Sequence, residues 1–145
     1  ANSTATLREL FSRIVFNILC GNTDDHARNH AAFWDGHQLA LTPAYDICPQ
    51  SRVGQQASQA MLIHDGDRSS QIAACIAAAP SFLLGTEDAI AIVNHQVSMI
   101  QKEWHSICNE ASLSEVDRAL FWRRQFLNPF TFLNAPESVL VPAGG

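Results

Sequence analysis

The chain has 145 residues, of which 47% are apolar and 16% charged, with a formal net charge of −5. Those figures suit one globular domain able to bury about two-thirds of the surface its unfolded chain exposes. Nine Lys and Arg scattered through an acidic chain argue against a nucleic-acid surface, and the aromatic residues lack the basic interleaving of a base-stacking platform. No apolar run approaches the roughly 20 residues of a membrane span.

Residues 1–4 read as a frayed start. Leu7, Leu10, Phe11, Ile14, Val15, Ile18 and Leu19 then recur at helical spacing and predict a buried helix. Thr4 or Thr6 is placed to cap it, and Gly21 stands where a left-handed stop is wanted. A polar stretch follows, Gly21-Asn22-Thr23-Asp24-Asp25-His26-Ala27-Arg28-Asn29-His30, in which Asn22 and Thr23 read as shaping the turn. Next, Ala31–Trp34 and His37–Leu41 flank Asp35-Gly36, the signature of a hairpin with a two-residue turn. The hairpin returns the chain, through Pro43-Ala44-Tyr45-Asp46, towards the polar stretch. Residues 49–58 read as a loop, 60–63 as a short strand or helical turn, and 64–67 as a turn.

The remainder is helical. Residues 71–79 form a helix ending at Pro80. Thr86 caps a long helix to about Asn109, with Ile90, Val93, Val97, Ile100, Trp104 and Ile107 on its apolar stripe. Ser112-Leu113-Ser114-Glu115 reads as a capping box opening a helix to about Phe126. Trp34, Trp104 and Trp122 read as core, and 136–145 as a loose tail. Cys20, Cys48, Cys75 and Cys108 stand apart without a C-x-x-C pair, so neither a zinc finger nor a disulfide framework is expected. Reduced, mostly buried thiols suit a cytoplasmic setting.

Asp24 and Asn29 bracket four residues, the D-x-x-x-x-N spacing of a kinase catalytic loop, and Asp46 arrives after the hairpin as a further acid. In that template the first Asp takes the proton of an attacking hydroxyl, while the Asn and the later Asp hold Mg²⁺ on the nucleotide phosphates. Asp24 is also read as a loop acid bonding nearby amides. Asp25 is read as a second carboxylate near the metal or, in preference, as an acid pairing with Arg28 or His26. Arg28 is read as neutralising a transferring phosphate or making a fold-stabilising ion pair. His26 and His30 lie four apart, as helical metal ligands do, but without a neighbouring zincin Glu the spacing favours hydrogen-bonded loop histidines.

The run Ile18–Asn29 followed by Leu41–Ile47 resembles the C-terminal lobe of HipA-like serine/threonine kinases, with the specific match over about residues 7–48. The resemblance implies a mainly α fold with a small β-hairpin, that of a protein-kinase-like C-terminal lobe. It makes Asp24 the catalytic base, Asn29 and Asp46 the Mg²⁺ ligands, and His26 and Arg28 the basic positions of the nucleotide-facing loop. It further implies ATP, a protein substrate in or near translation, a toxin role and a DNA-binding antitoxin as partner. No G-x-G-x-x-G is present and Lys102 is the sole lysine. The chain therefore reads as one domain, residues 1–145, of a longer kinase whose ATP-binding lobe lies elsewhere, and little transfer is expected from it alone. Small-molecule phosphotransferases use similar acids. A metal-dependent phosphohydrolase or nuclease built on Asp24, Asp25, His26, His30 and Asp46 stays open, as does a non-catalytic binding lobe.

Overall fold

The computed structural model describes residues 3–143. Among these, the α-helices are α1 (Ser3–Leu19), α2 (Ile72–Ala78), α3 (Thr86–Glu110) and α4 (Glu115–Phe121), and one antiparallel hairpin, β1 (Ala32–Trp34) with β2 (Leu39–Leu41), follows α1. The mainly helical class with a small hairpin is therefore as read from the sequence. No described helix is long and apolar enough to cross a membrane.

The core forms where the stripe of α1 meets α2, α3 and the C-terminal segment. Phe11, Val15, Ile18 and Leu19 of α1 pack in one cluster with Ile72 and Cys75 of α2, Val93 and Val97 of α3, and Leu127, Phe132 and Val139. Each large side chain buried there contributes about 1.5–3 kcal/mol. Thr4 and Thr6 fall inside α1, so its cap lies outside the described residues. Its other end is closed as predicted. Gly21 adopts φ +76°, Asn22 N–H donates to Asn17 O at 2.8 Å and Gly21 N–H to Ile18 O at 3.2 Å. These two bonds are the Schellman pair that satisfies the last carbonyls of a helix.

Several boundaries differ from the sequence reading, each for a local reason. Trp34 pairs with Leu39, whereas a two-residue turn at Asp35-Gly36 would pair it with His37. The Asp35 carboxylate accepts from both His37 N–H (2.8 Å) and Gln38 N–H (2.9 Å), which moves the bend on to Gly36 and His37. The backbone donors of Gln38 and His37 hold its carboxyl below the usual range. Residues 60–63 form neither strand nor helix. α2 ends just before Pro80, as expected, and Pro80 itself sits in a 3-10 turn, Ala79–Phe82, near whose start its missing N–H costs nothing. Gly85, not Thr86, is the N-cap residue of α3. On α3 Cys108 is buried and Ile107 is 55% exposed. At about 100° per residue Cys108 returns to within about 20° of Val97, while Ile107 lies about 80° away.

The cap of α4 is Ser114, which accepts from Asp117 N–H, rather than a box from Ser112 to Glu115. α4 ends at Phe121, not near Phe126, because Arg123 (φ +61°) and Leu127 (φ +51°) turn the chain. The turn packs Trp122 and Phe126 against Trp104 of α3, with ring centroids 4.8 and 5.0 Å away. Trp34 is not core. It is 63% exposed on the hairpin, beside Phe33 at 65%. The segment expected as a loose tail, 136–145, is pinned over its described part: Val139 is buried, Asn94 Nδ2 donates to Ser138 O (2.9 Å) and Leu140 N–H donates to Asn94 Oδ1 (2.6 Å). Residues 144 and 145 lie outside the described residues.

All four cysteines are free thiols, with Cys20, Cys75 and Cys108 buried and Cys48 exposed. Burial pushes the Cys20 thiol from its ordinary 9.0 to about 11 and Cys75 to about 12. The folded state thus holds these protons where the unfolded chain loses them. Their contribution to stability is intact below pH 9.0 and declines as pH rises towards 11–12. With iodoacetamide at pH 8 the native protein is expected to be alkylated at Cys48, with Cys20 and Cys75 reacting only after denaturation, as peptide mass mapping would read. Early labelling of Cys75 would contradict its burial.

Candidate active site

Gly21 ends α1, and the polar stretch begins with a buried residue. Asn22 is 1% exposed. Its Nδ2 donates to Asn17 Oδ1 at 3.0 Å and to the Asp46 carbonyl at 3.3 Å, and its own carbonyl accepts from Gln59 Nε2 at 3.0 Å. Backbone bonds from Gln50 N–H to Gly21 O (3.0 Å) and Ala60 N–H to Thr23 O (2.9 Å) flank this hub. At the other end of the stretch, Tyr45 Oη donates to Arg28 O at 2.6 Å. The hairpin thus returns the chain as expected, and the 45–46 segment is fastened to the polar stretch at two points.

Asp24 faces solvent, with its side chain 66% exposed and Oδ1 3.6 Å from His26 Nε2. Its backbone carbonyl accepts from Asn29 Nδ2 at 3.5 Å, which leaves Asn29 Oδ1 for another partner. Arg28 Nη2 lies 3.5 Å from His26 Nε2, and Arg28 has no carboxylate partner among the described residues. The fold-stabilising ion pair read for Arg28 is therefore not made there. Asp46 is exposed in the left-handed region at φ +56°, where Asp is tolerated better than most residues. Its carboxylate has no hydrogen-bond or ion-pair partner among the described residues.

Asp25 turns the opposite way. It is 1% exposed and its Oδ1 lies 2.8 Å from His30 Nε2, so its partner is His30 and neither Arg28 nor His26. The 3-10 turn Ala27–Asn29 brings His30 back over Asp25. Asp25 Oδ2, His26 Nδ1 and His30 Nδ1 are buried without partners. Asp24 and His26 therefore share the outer side, and Asp25 and His30 the inner. Among the described residues no three of His, Cys, Asp and Glu converge on a common point where a metal ion could be held. The five-residue set of a metallohydrolase is split by this division. The oxygen donors that stay available, Asn29 Oδ1 and the Asp46 carboxylate, are the hard ligands that suit Mg²⁺.

A family model described as HipA-like C-terminal domain matches residues 1–104. The chain belongs to that family. The match takes in the whole polar stretch, the hairpin, Asp46 and most of α3 of the HipA-like domain, and it stops before α4. Searches of curated proteins and of solved structures found no match.

Sequence reasoning gave Asn22 only a turn-shaping role and gave Tyr45 and Gln59 none. An Asn directly after the Gly that stops a buried helix carried the signal for Asn22, since a carboxamide placed there is buried and needs partners. Gln59 sits in a stretch without periodicity, and nothing near it in the chain marks its bond to residue 22.

Proposed function

We propose that this HipA-like domain is the catalytic lobe of a protein serine/threonine kinase that transfers the ATP γ-phosphate to a protein hydroxyl with Mg²⁺. The observation that carries the reading is the double fastening of the Asp46 segment to the polar stretch, by Asn22 to the Asp46 carbonyl and by Tyr45 to the Arg28 carbonyl. It keeps an unpartnered carboxylate beside a loop in which Asp24 and Asn29 have kinase spacing. Asp24, exposed and flanked by His26, accepts the proton of the attacking hydroxyl. Asn29 Oδ1 and the Asp46 carboxylate would hold Mg²⁺, which when bound neutralises charge on the phosphates. Arg28, free of carboxylates, faces the same phosphate charge. The HipA-like family sets this chemistry in a toxin–antitoxin context. A cytoplasmic location, a substrate in or near translation and a DNA-binding antitoxin as partner belong to the proposal.

The test uses the complete product of the gene, incubated with labelled ATP, Mg²⁺ and cytosolic protein. Label transfer to Ser or Thr is expected, and Asp24→Asn should lower it by about 10³-fold or more while leaving the circular-dichroism melt unchanged. Transfer that survives Asp24→Asn, or none from the native protein, would refute the assignment.

A further inference from the structure

A second polar cleft lies away from Asp24. It has a volume of about 570 Å³ and opens between the segment that follows Asp46 and the turn that follows α4. Ser51, Arg52 and Gln55 line one side, and Arg124, Gln125 and Asn128 the other. No carboxylate lines it, in a chain whose acids outnumber its Lys and Arg by 14 to 9.

The arginines are unusual in their partners. Arg52 is half-buried, and Nη1 donates to Gln55 O (3.1 Å) while Nη2 reaches Ser70 Oγ (3.4 Å). Its Nε is buried with no partner, and no carboxylate is in ion-pair range among the described residues. A guanidinium withdrawn from water without a counter-charge is costly, and it is normally relieved by an anion. Burial accordingly lowers the readiness of Arg52 to hold its proton. Arg124 is exposed, and its side chain makes no hydrogen bond or ion pair among the described residues. Two guanidiniums without carboxylates line the same cleft, together with Ser51, Gln55 and Gln125, and the guanidinium fork is the group best suited to bind oxyanions.

We propose that this cleft is a receptor for a phosphate monoester dianion, held by Arg52 and Arg124. Both walls are anchored at the start of the polar stretch. Gln50 N–H bonds to Gly21 O, and Gly21 packs against the Gln125 backbone. An anion that bridges the walls therefore steadies the segment leading back to Asp46. The site does not depend on the kinase reading, because binding is measured without phosphate transfer.

The test is a titration of the full chain with inorganic phosphate and, separately, with a phosphoserine peptide, followed by ¹H–¹⁵N NMR at constant ionic strength. Saturable shifts at the Arg52 Nε–H and in residues 51–55 and 120–125 are expected with at least one of the two. Arg52→Gln and Arg124→Gln should each weaken binding roughly tenfold or more, whereas Arg8→Gln, which removes the same charge beside Asp88, should leave it unchanged. Tighter binding of the peptide assigns the anion to a phosphorylated polypeptide, and equal binding assigns it to free phosphate. Because the Arg124 side chain makes no hydrogen bond among the described residues, Arg124→Gln stays informative even if Arg52→Gln loosens the fold. Shifts that never saturate, or that persist in Arg124→Gln, would overturn the proposal.

Discussion

Gly21→Ala lowers the melting temperature of the domain by roughly 10 °C, the scale of a loss of about 3 kcal/mol in a chain this long. Two costs add. The residue holds φ +76°, which costs an L-residue about 1–2 kcal/mol. A Cβ at Gly21 would also stand 2.6 Å from Gln125 O and 3.0 Å from Gln125 C and Cα, all backbone atoms. They cannot step aside as a flexible side chain would, since Leu127 N–H is bonded to Leu19 O at 2.8 Å just beyond. Gly36→Ala supplies the comparison. At φ +97° it meets the backbone cost alone, with no atom within 4 Å of the added Cβ, so about 1 kcal/mol is expected. Equal melting shifts for the two variants would show that the approach of Gln125 carries no energy.

Asn22→Ala is expected to cost about 3 kcal/mol and, in the complete gene product, to cut the proposed phosphate transfer by ~10–100-fold. Truncation leaves the buried Asn17 Oδ1 without the donor it has at 3.0 Å and frees the Asp46 carbonyl. Unsatisfied acceptors cost more than the net value of the bonds they lose. The loss in rate has a separate origin. Asp46 is held by its backbone, so releasing that carbonyl leaves the carboxylate positioned only through the neighbouring Tyr45 bond to Arg28 O. Thermal melts and transfer assays on the same preparation separate the two effects. Native transfer rates at a lowered melting temperature would show that Asn22 stabilises the fold without positioning Asp46.

What was legible in the chain was local or periodic. The stripe of α1, the stop at Gly21 and the spacing of Asp24, Asn29 and Asp46 are each written within a few turns or one hairpin. The hub at Asn22 was not, because its partner Gln59 lies 37 residues on, in a stretch with no repeating pattern. The pinned C-terminal segment is the same case. Its Pro and Gly content reads as loose, but Asn94 ties it down from 44 residues upstream. Residues 122–126 continue a helical pattern, yet packing on Trp104 is worth more than one further turn of helix. The structural role of Asp25 was legible but its partner was not: the sequence shows two adjacent acids, and only the 3-10 turn after them brings His30 to one and leaves the other facing out.

The three tryptophans divide the molecule optically. Trp34 stands in water on the hairpin between the polar stretch and Asp46, while Trp104 and Trp122 face each other at 4.8 Å where α3 meets the turn after α4. An exposed indole emits at longer wavelength and is open to quenchers, and a tilted pair 4.8 Å apart is close enough to couple in circular dichroism. Emission from the hairpin and ellipticity from the tilted pair therefore report on different elements of one chain, without any attached label.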